Sequence, residues 1–206
     1  MSLLALLDPA HVVSGFGVGV LVGLTGVGGG SLMTPLLVLA FGVHPVTAVG
    51  TDLLFAAATK TVGMAAHGLA RSVDWRVTGL LAAGSVPTAA VTLVALSGWH
   101  TVDGAARFVT CALGWALMVT SLLLLFRRQV FAFATRRRGD ALGGRERSFA
   151  TVATGAVLGL VVSTSSVGAG AIGMTALVIL HPHLPIGRLV GSDIAHAVPL
   201  TLIAGA

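Results

Sequence analysis

A chain of 206 residues with 55 % hydrophobic and 9 % charged side chains, and a mean hydropathy of +0.98, has too little polar surface to close a water-soluble globule. Its net charge of +5 does not indicate a nucleic-acid partner, because seven of the arginines (Arg127, Arg128, Arg136, Arg137, Arg138, Arg145 and Arg147) fall in one hydrophilic stretch. That is orientation chemistry, and the positive-inside bias puts residues 127–148 in the cytoplasm. The single cysteine, Cys111, lies in an apolar run, which excludes an intrachain disulfide framework and a cysteine-cluster metal site.

The N-terminus lacks a basic region, and Asp8-Pro9 interrupts its apolar part, so a removable signal peptide is not expected. Residues 12–42 are apolar throughout. As one straight helix they would extend about 46 Å, well beyond a hydrocarbon core of about 30 Å, so the segment must tilt strongly or break. The glycine cluster at 26–30 is where the break belongs. Before it, Gly15, Gly19 and Gly23 recur on one helical face and suit close helix packing. After it, a helix restarts with Pro35 early enough to be tolerated. A turn at 42–45 leads into a span at 47–67 that holds Asp52 and Lys60, with Asp52 read at its mouth. The short loop 68–76 carries Arg71 and Arg76 and belongs on the side of the long basic loop. Apolar runs near 77–96 and 105–126 join the two loops, with Trp75 and Trp99 at opposite edges of the first. Barrel-type alternation is absent. The fold class is an all-α polytopic membrane protein.

Laying Gly15 on Gly155 also lays Gly19 on Gly159, Val27 on Val167, Gly28 on Gly168, Gly30 on Gly170 and Pro45 on Pro185. With one extra residue in the following loop, Val49-Gly50-Thr51-Asp52 falls on Val190-Gly191-Ser192-Asp193. This register predicts two internal repeats with Gly-broken helices: a first repeat at 1–126, a basic cytoplasmic loop at 127–148 and a second repeat at 149–206 that reads as truncated. If the interrupted segment crosses the membrane the copies are parallel; if it enters and returns, their relation changes.

A glycine-rich break at membrane depth exposes backbone N–H groups and is tolerated only where it is buried in protein or lines an aqueous cavity. Paired breaks in two repeats point to a transporter's central site, and free N–H groups ahead of a half-helix suit an anion. The anion candidates are therefore Gly28, Gly29, Gly30, Thr51 and Lys60 from the first copy and Ser165, Ser166, Gly168, Gly170 and Ser192 from the second. Asp52 and Asp193 are read either as N-caps or as proton or cation sites, and His196 either as a proton shuttle or as a hydrogen-bonded structural residue. Lys60, the chain's one lysine, serves either the substrate or a buried ion pair with Asp52. The substrate role is preferred because Thr201, its counterpart in the second copy, is neutral although Asp193 is retained. The hydroxyls at 163–166 either donate to an oxyanion or bond back to their own helix. The His-Pro-His spacing at His181 and His183 is too thin for a metal site, and phosphate-loop patterns fail.

The run G-V-G-G-G-x-x-x-x-P ending at Pro35, the A-V-G-T ending at Thr51, their weaker repeat and the basic loop between the halves resemble the sulfite exporter TauE/SafE family of bacterial membrane permeases. The resemblance implies a secondary transporter, an exporter of a small sulfur-containing anion such as sulfite or a sulfonate, in the bacterial inner membrane. No cofactor is expected; the partners are the anion and the lipid bilayer, with a homo-oligomer left open. The sequence departs from the pattern at 167–170, where one glycine of the triplet is lost. The rival readings are an intramembrane serine hydrolase using Ser166 and His196, which lacks G-x-S-x-G around Ser166, and an assembly subunit that transports nothing.

Overall fold

In the computed structural model the described residues are 9–25, 29–98, 102–126, 128–129, 132 and 143–205. Gly28, Trp99 and Arg137, and with them the middle of the first break and most of the basic loop, lie outside them. Among the described residues every regular element is helical. The elements are α1 (Pro9–Thr25), a 3₁₀ turn (Gly29–Ser31), α2 (Met33–Leu39), α3 (Pro45–Leu69), α4 (Trp75–Ser97), α5 (Val102–Leu125), α6 (Gly144–Ser165), α7 (Ala171–Leu180) and α8 (Ile186–Gly205).

The first long apolar segment is broken as its length required, and α2 restarts with Pro35 in its first turn, where a missing N–H costs nothing. Pro45 opens α3 in the same way, two residues before the expected start. The helix consequently runs from Pro45 to Leu69, and Asp52 sits well inside it. Asp193 lies likewise inside α8. The capping alternative for both acids is thereby removed. A further difference is that α6 begins at Gly144, inside the stretch read as the loop, because Glu146 reaches back to the Gly143 N–H and fixes an early first turn.

Four helices, α4, most of α5, α6 and α8, combine spanning length with apolar composition, which makes this a membrane protein. α3 has the length, at 25 residues, and buries its polar Asp52. The chain of closest neighbours runs α6–α4–α8–α3. α4 and α6 lie parallel with their backbones in contact: a Cβ on Gly155 would strike the Leu81 carbonyl, and one on Gly159 the Ser85 carbonyl. α3 and α8 are antiparallel, since Gly63 meets Ile194 while Gly205 meets Leu53 and Leu54. Leu53, Val162, Ala197 and Leu200 fill one part of the core, and Leu81, Leu158, Leu177 and Leu189 another. Apolar side chains such as Phe16, Leu69, Trp115 and Phe149 stay exposed, as a bilayer requires.

The second interrupted segment enters and returns. Gly173 of α7 packs near Leu158 of α6, and Thr151 Oγ1 lies 3.0 Å from His181 Nε2, so α7 runs back toward the face where α6 begins. That face also holds the 70–74 turn and the starts of α4 and α8, because the Asp74 N–H donates to Ser192 Oγ at 2.8 Å. Cysteines introduced at Arg71, Arg145 and Arg188 in a Cys111→Ser background are therefore expected to react with a membrane-impermeant maleimide from one side, and one at Thr47 from the other. Labelling of Arg188→Cys together with Thr47→Cys would mean that α7 completes a crossing instead.

Candidate functional site

Helix α6 ends at Ser166, which adopts the left-handed conformation (φ 58°) that a residue with a Cβ enters at a cost of about 1 kcal/mol. Ser165 Oγ donates to the Val161 carbonyl at 2.6 Å and accepts from the Val167 N–H at 3.2 Å, tying the break to the helix before it. Gly168 follows at φ +116°, a backbone position suited to glycine, and α7 begins after Gly170. The other hydroxyls of this run, Ser163 and Thr164, bond back to Gly159 and Leu160.

The two breaks meet. Gly30, buried in the first, is so close to the second that a Cβ there would overlap the Ser166 carbonyl. Directly beneath, the fully buried Asp52 of α3 accepts on one oxygen, Oδ2, from both Thr34 Oγ1 at 2.8 Å and Ser166 Oγ at 2.7 Å. One carboxylate oxygen thus joins α2, α3 and the end of α6. The other, Oδ1, is buried with no hydrogen-bond partner among the described residues.

Lys60, two turns further along α3, donates from Nζ to the Ala169 carbonyl of the second break at 3.2 Å. Among the described residues no carboxylate pairs directly with it, so an ion pair with Asp52 is not formed. Its ammonium and the Asp193 carboxyl share the lining of a cavity of about 450 Å³, together with Phe55, Thr59, Ala169 and Gly170. Asp193 is 5 % exposed and wedged against Gly173, and its Oδ1 has no hydrogen-bond partner among the described residues. His196, fully buried one turn on, shares a hydrogen bond of 2.9 Å with Ser85 Oγ of α4, and its Nδ1 is unpartnered among the described residues.

Of the residues singled out in the sequence, Gly30, Lys60, Ser166, Gly168 and Gly170 line one small polar crevice. Gly29 belongs to the 3₁₀ turn that also holds Gly30, Ser165 shapes the break, Asp52 accepts from Ser166, Asp193 shares the larger cavity with Lys60, and His196 lies one turn beyond Asp193. Two do not come to the crevice. Thr51 is exposed and donates back to the Thr47 carbonyl at 2.8 Å, being turned about 100° around α3 from the inward-facing Asp52. Ser192 is buried at the far end of α8, donating to the Arg188 carbonyl at 2.7 Å and accepting from Asp74. Thr34 and Ser85 escaped notice. A hydroxyl next to Pro35 in a restarting helix was a usable signal for the first; Ser85, one of several hydroxyls in an apolar span, offered none.

His181, whose Nε2 lies 3.0 Å from Thr151 Oγ1, is structural. Burial foremost, then His183 and the Arg147 guanidinium, push His181 down to about 4. An unfolded chain therefore takes up a proton between about pH 6.5 and 4 that the folded chain refuses, so stability is full above that window and lost as pH falls through it. Thermal midpoints of His181→Gln should lack this decline, which amounts to roughly 1–2 kcal/mol after solvent screening. An identical pH profile in the variant would acquit His181.

A bundle of membrane helices in which two interrupted segments meet over a buried acid and a lysine is the architecture of a membrane transporter. The chain belongs to the sulfite exporter TauE/SafE family, which matches it over residues 11–206. It is also similar to the "Probable membrane transporter protein YjnA" of Bacillus subtilis (strain 168), with 32 % identity over 197 residues that cover 94 % of this chain and 76 % of the relative. No solved structure matches the chain.

Proposed function

We propose that the protein is a secondary transporter that exports a small sulfur-containing oxyanion, sulfite or a sulfonate, across the bacterial inner membrane. The observation that carries this reading is the contact of Gly30 with Ser166 beside Lys60. A lysine at membrane depth needs compensating negative charge, and Asp193, which lines the same cavity without a direct ion pair to it, leaves the ammonium open to a transported anion. Gly30, Ser166, Gly168, Gly170 and Lys60 bind the anion, together with Gly28 and Gly29, the other glycines of the first triplet.

Asp52, Asp193 and His196 couple the cycle to protons. Asp52 Oδ2 holds α2 and the end of α6 together through two hydroxyl donors, and protonation weakens a carboxyl as an acceptor, so proton uptake would loosen the two breaks from each other. The antiparallel course of α3 and α8 favours inverted repeats, whose rocking about the shared breaks would alternate access. The serine hydrolase alternative loses its dyad, since Ser166 bonds to Asp52 and His196 to Ser85.

The test uses purified full-length protein. Sulfite, thiosulfate, sulfoacetate and taurine are screened for thermal stabilisation, and any that stabilises is followed in proteoliposomes with an imposed pH gradient. The expected result is saturable stabilisation by at least one of these, with flux that follows the gradient. If all four leave the midpoint and the flux unchanged, the sulfur-anion reading fails.

A further inference from the structure

The cavity that holds Lys60 is much larger than its polar corner. At about 450 Å³ it has the volume of roughly fifteen waters at about 30 Å³ each, and it falls in the range of about 300–1,000 Å³ that organic ligands occupy. A compact oxyanion such as sulfite, seated against Lys60 Nζ, leaves most of it unfilled. Four helices build the remaining wall, with Val18 and Val22 from α1, Phe55 from α3, Met174 from α7, and Val190 and Ile194 from α8. All of these side chains are apolar. Phe55 is 43 % exposed, so its ring is not spent on packing the core.

The polar groups of the lining are few and mostly committed. Thr59 Oγ1 donates to the Phe55 and Ala56 carbonyls, each at 3.1 Å. Lys60 Nζ uses one of its protons on the Ala169 carbonyl. Asp193 brings a carboxyl to the same lining, so one ammonium and one carboxyl are its charged side chains and their formal charges cancel. A small, strongly hydrated oxyanion is poorly served there, because it gives up water to apolar walls and meets a cation that an acid in the same lining offsets. An anion with one charge and an apolar body gains from the walls as well as from the lysine. The internal repeat shows where the wall departs from its counterpart: the register that lays Gly30 on Gly170 lays Thr34 on Met174. Thr34 gives its hydroxyl proton to Asp52, whereas Met174 has none to give Asp193 and lines the cavity with a flexible thioether that adapts to irregular apolar shapes.

We propose that the cavity takes an organic sulfonate with an apolar body, its head on Lys60 and its chain against Val22, Phe55, Met174 and Ile194. This assignment rests on Lys60 as an anion site, as given above, and names the class of anion. The lysine then holds the head common to all sulfonates, and the wall selects among them.

Sulfite and methane-, propane- and pentanesulfonate are titrated against purified full-length protein at constant ionic strength, reading the thermal midpoint. Affinity should rise about two- to fourfold with each added methylene, and at least tenfold from methane- to pentanesulfonate. Phe55→Ala should flatten this rise, as should Val22→Ala if the first variant does not fold, and in Lys60→Gln every sulfonate should weaken at least tenfold. Taurine, which carries an ammonium where propanesulfonate has a methyl group, should bind more weakly than propanesulfonate; the reverse order would assign Asp193 to an amine and overturn the apolar site. Binding of sulfite with no gain along the sulfonate series overturns the apolar site and leaves Lys60 as an anion site. If neither sulfite nor any sulfonate moves the midpoint, both fall. An undiminished rise in Phe55→Ala and Val22→Ala, or undiminished pentanesulfonate binding in Lys60→Gln, means a chain held as a lipid tail is held, and overturns the site as well.

Discussion

Lys60→Gln is expected to cost ten- to a hundredfold in anion affinity and to stop net transport, with folded protein still recovered. A charge-assisted hydrogen bond is worth about 1.5–3 kcal/mol, and that range sets the loss. Folding should survive because Nζ makes one hydrogen bond, to the Ala169 carbonyl, and no direct ion pair among the described residues that its removal would strand. Lys60→Arg keeps the charge with a different donor geometry and should retain part of the affinity. The neighbouring acids separate two explanations. Asp52 is held on Oδ2 by Thr34 and Ser166 and does not line the cavity that Lys60 shares with Asp193, so Lys60→Gln/Asp52→Asn should be closer to additive in stability. Asp193 lines the same cavity as Lys60 and has no partner on Oδ1, so Lys60→Gln/Asp193→Asn should be more stable than the sum of its parts. Wild-type affinity in folded Lys60→Gln would remove Lys60 from the site.

Gly155→Val is expected to destabilise by about 3 kcal/mol or more and to prevent accumulation of folded protein, whereas Gly15→Val should be nearly neutral. A Cβ at Gly155 overlaps the Leu81 carbonyl, which belongs to a helix backbone and cannot swing aside as a side chain can, so α4 and α6 would have to separate along their length. At Gly15 nothing among the described residues lies within 4 Å of the same position. Expression and thermal midpoint of the pair decide the matter; equal behaviour would mean that α4 and α6 do not touch as described.

The same two glycines show what the sequence could and could not convey. Gly15 and Gly155 occupy matching places in matching stripes, and both read as packing surfaces; among the described residues only Gly155 has a partner helix against it. A small residue reports that an approach is permitted, and the approaching helix is chosen by the fold. The broken segments, the spanning helices and the two buried acids were legible because lipid penalises exposed backbone and charge wherever they occur. The joining of Asp52 to Thr34 and Ser166 was not, since hydroxyl partners distant in the chain leave no mark on local pattern. Thr51 misled for a related reason: its place next to Asp52 in sequence turns it about 100° around the helix, here onto the exposed side.

The return of α7 also bears on how the protein is made. Its 10 residues amount to about 15 Å of helix, half a bilayer core, so it cannot be threaded into lipid as an independent stage of insertion. Nor can residues 166–170 wait in hydrocarbon with their peptide groups bare. The segment has somewhere to go only after α3 has presented Asp52 and Lys60 to receive Ser166 and the Ala169 carbonyl. Assembly is therefore ordered, with the helices that flank the centre inserted first and the centre itself closing last, and until it closes the nascent protein is a membrane-inserted chain whose most polar backbone is a target for quality-control proteases.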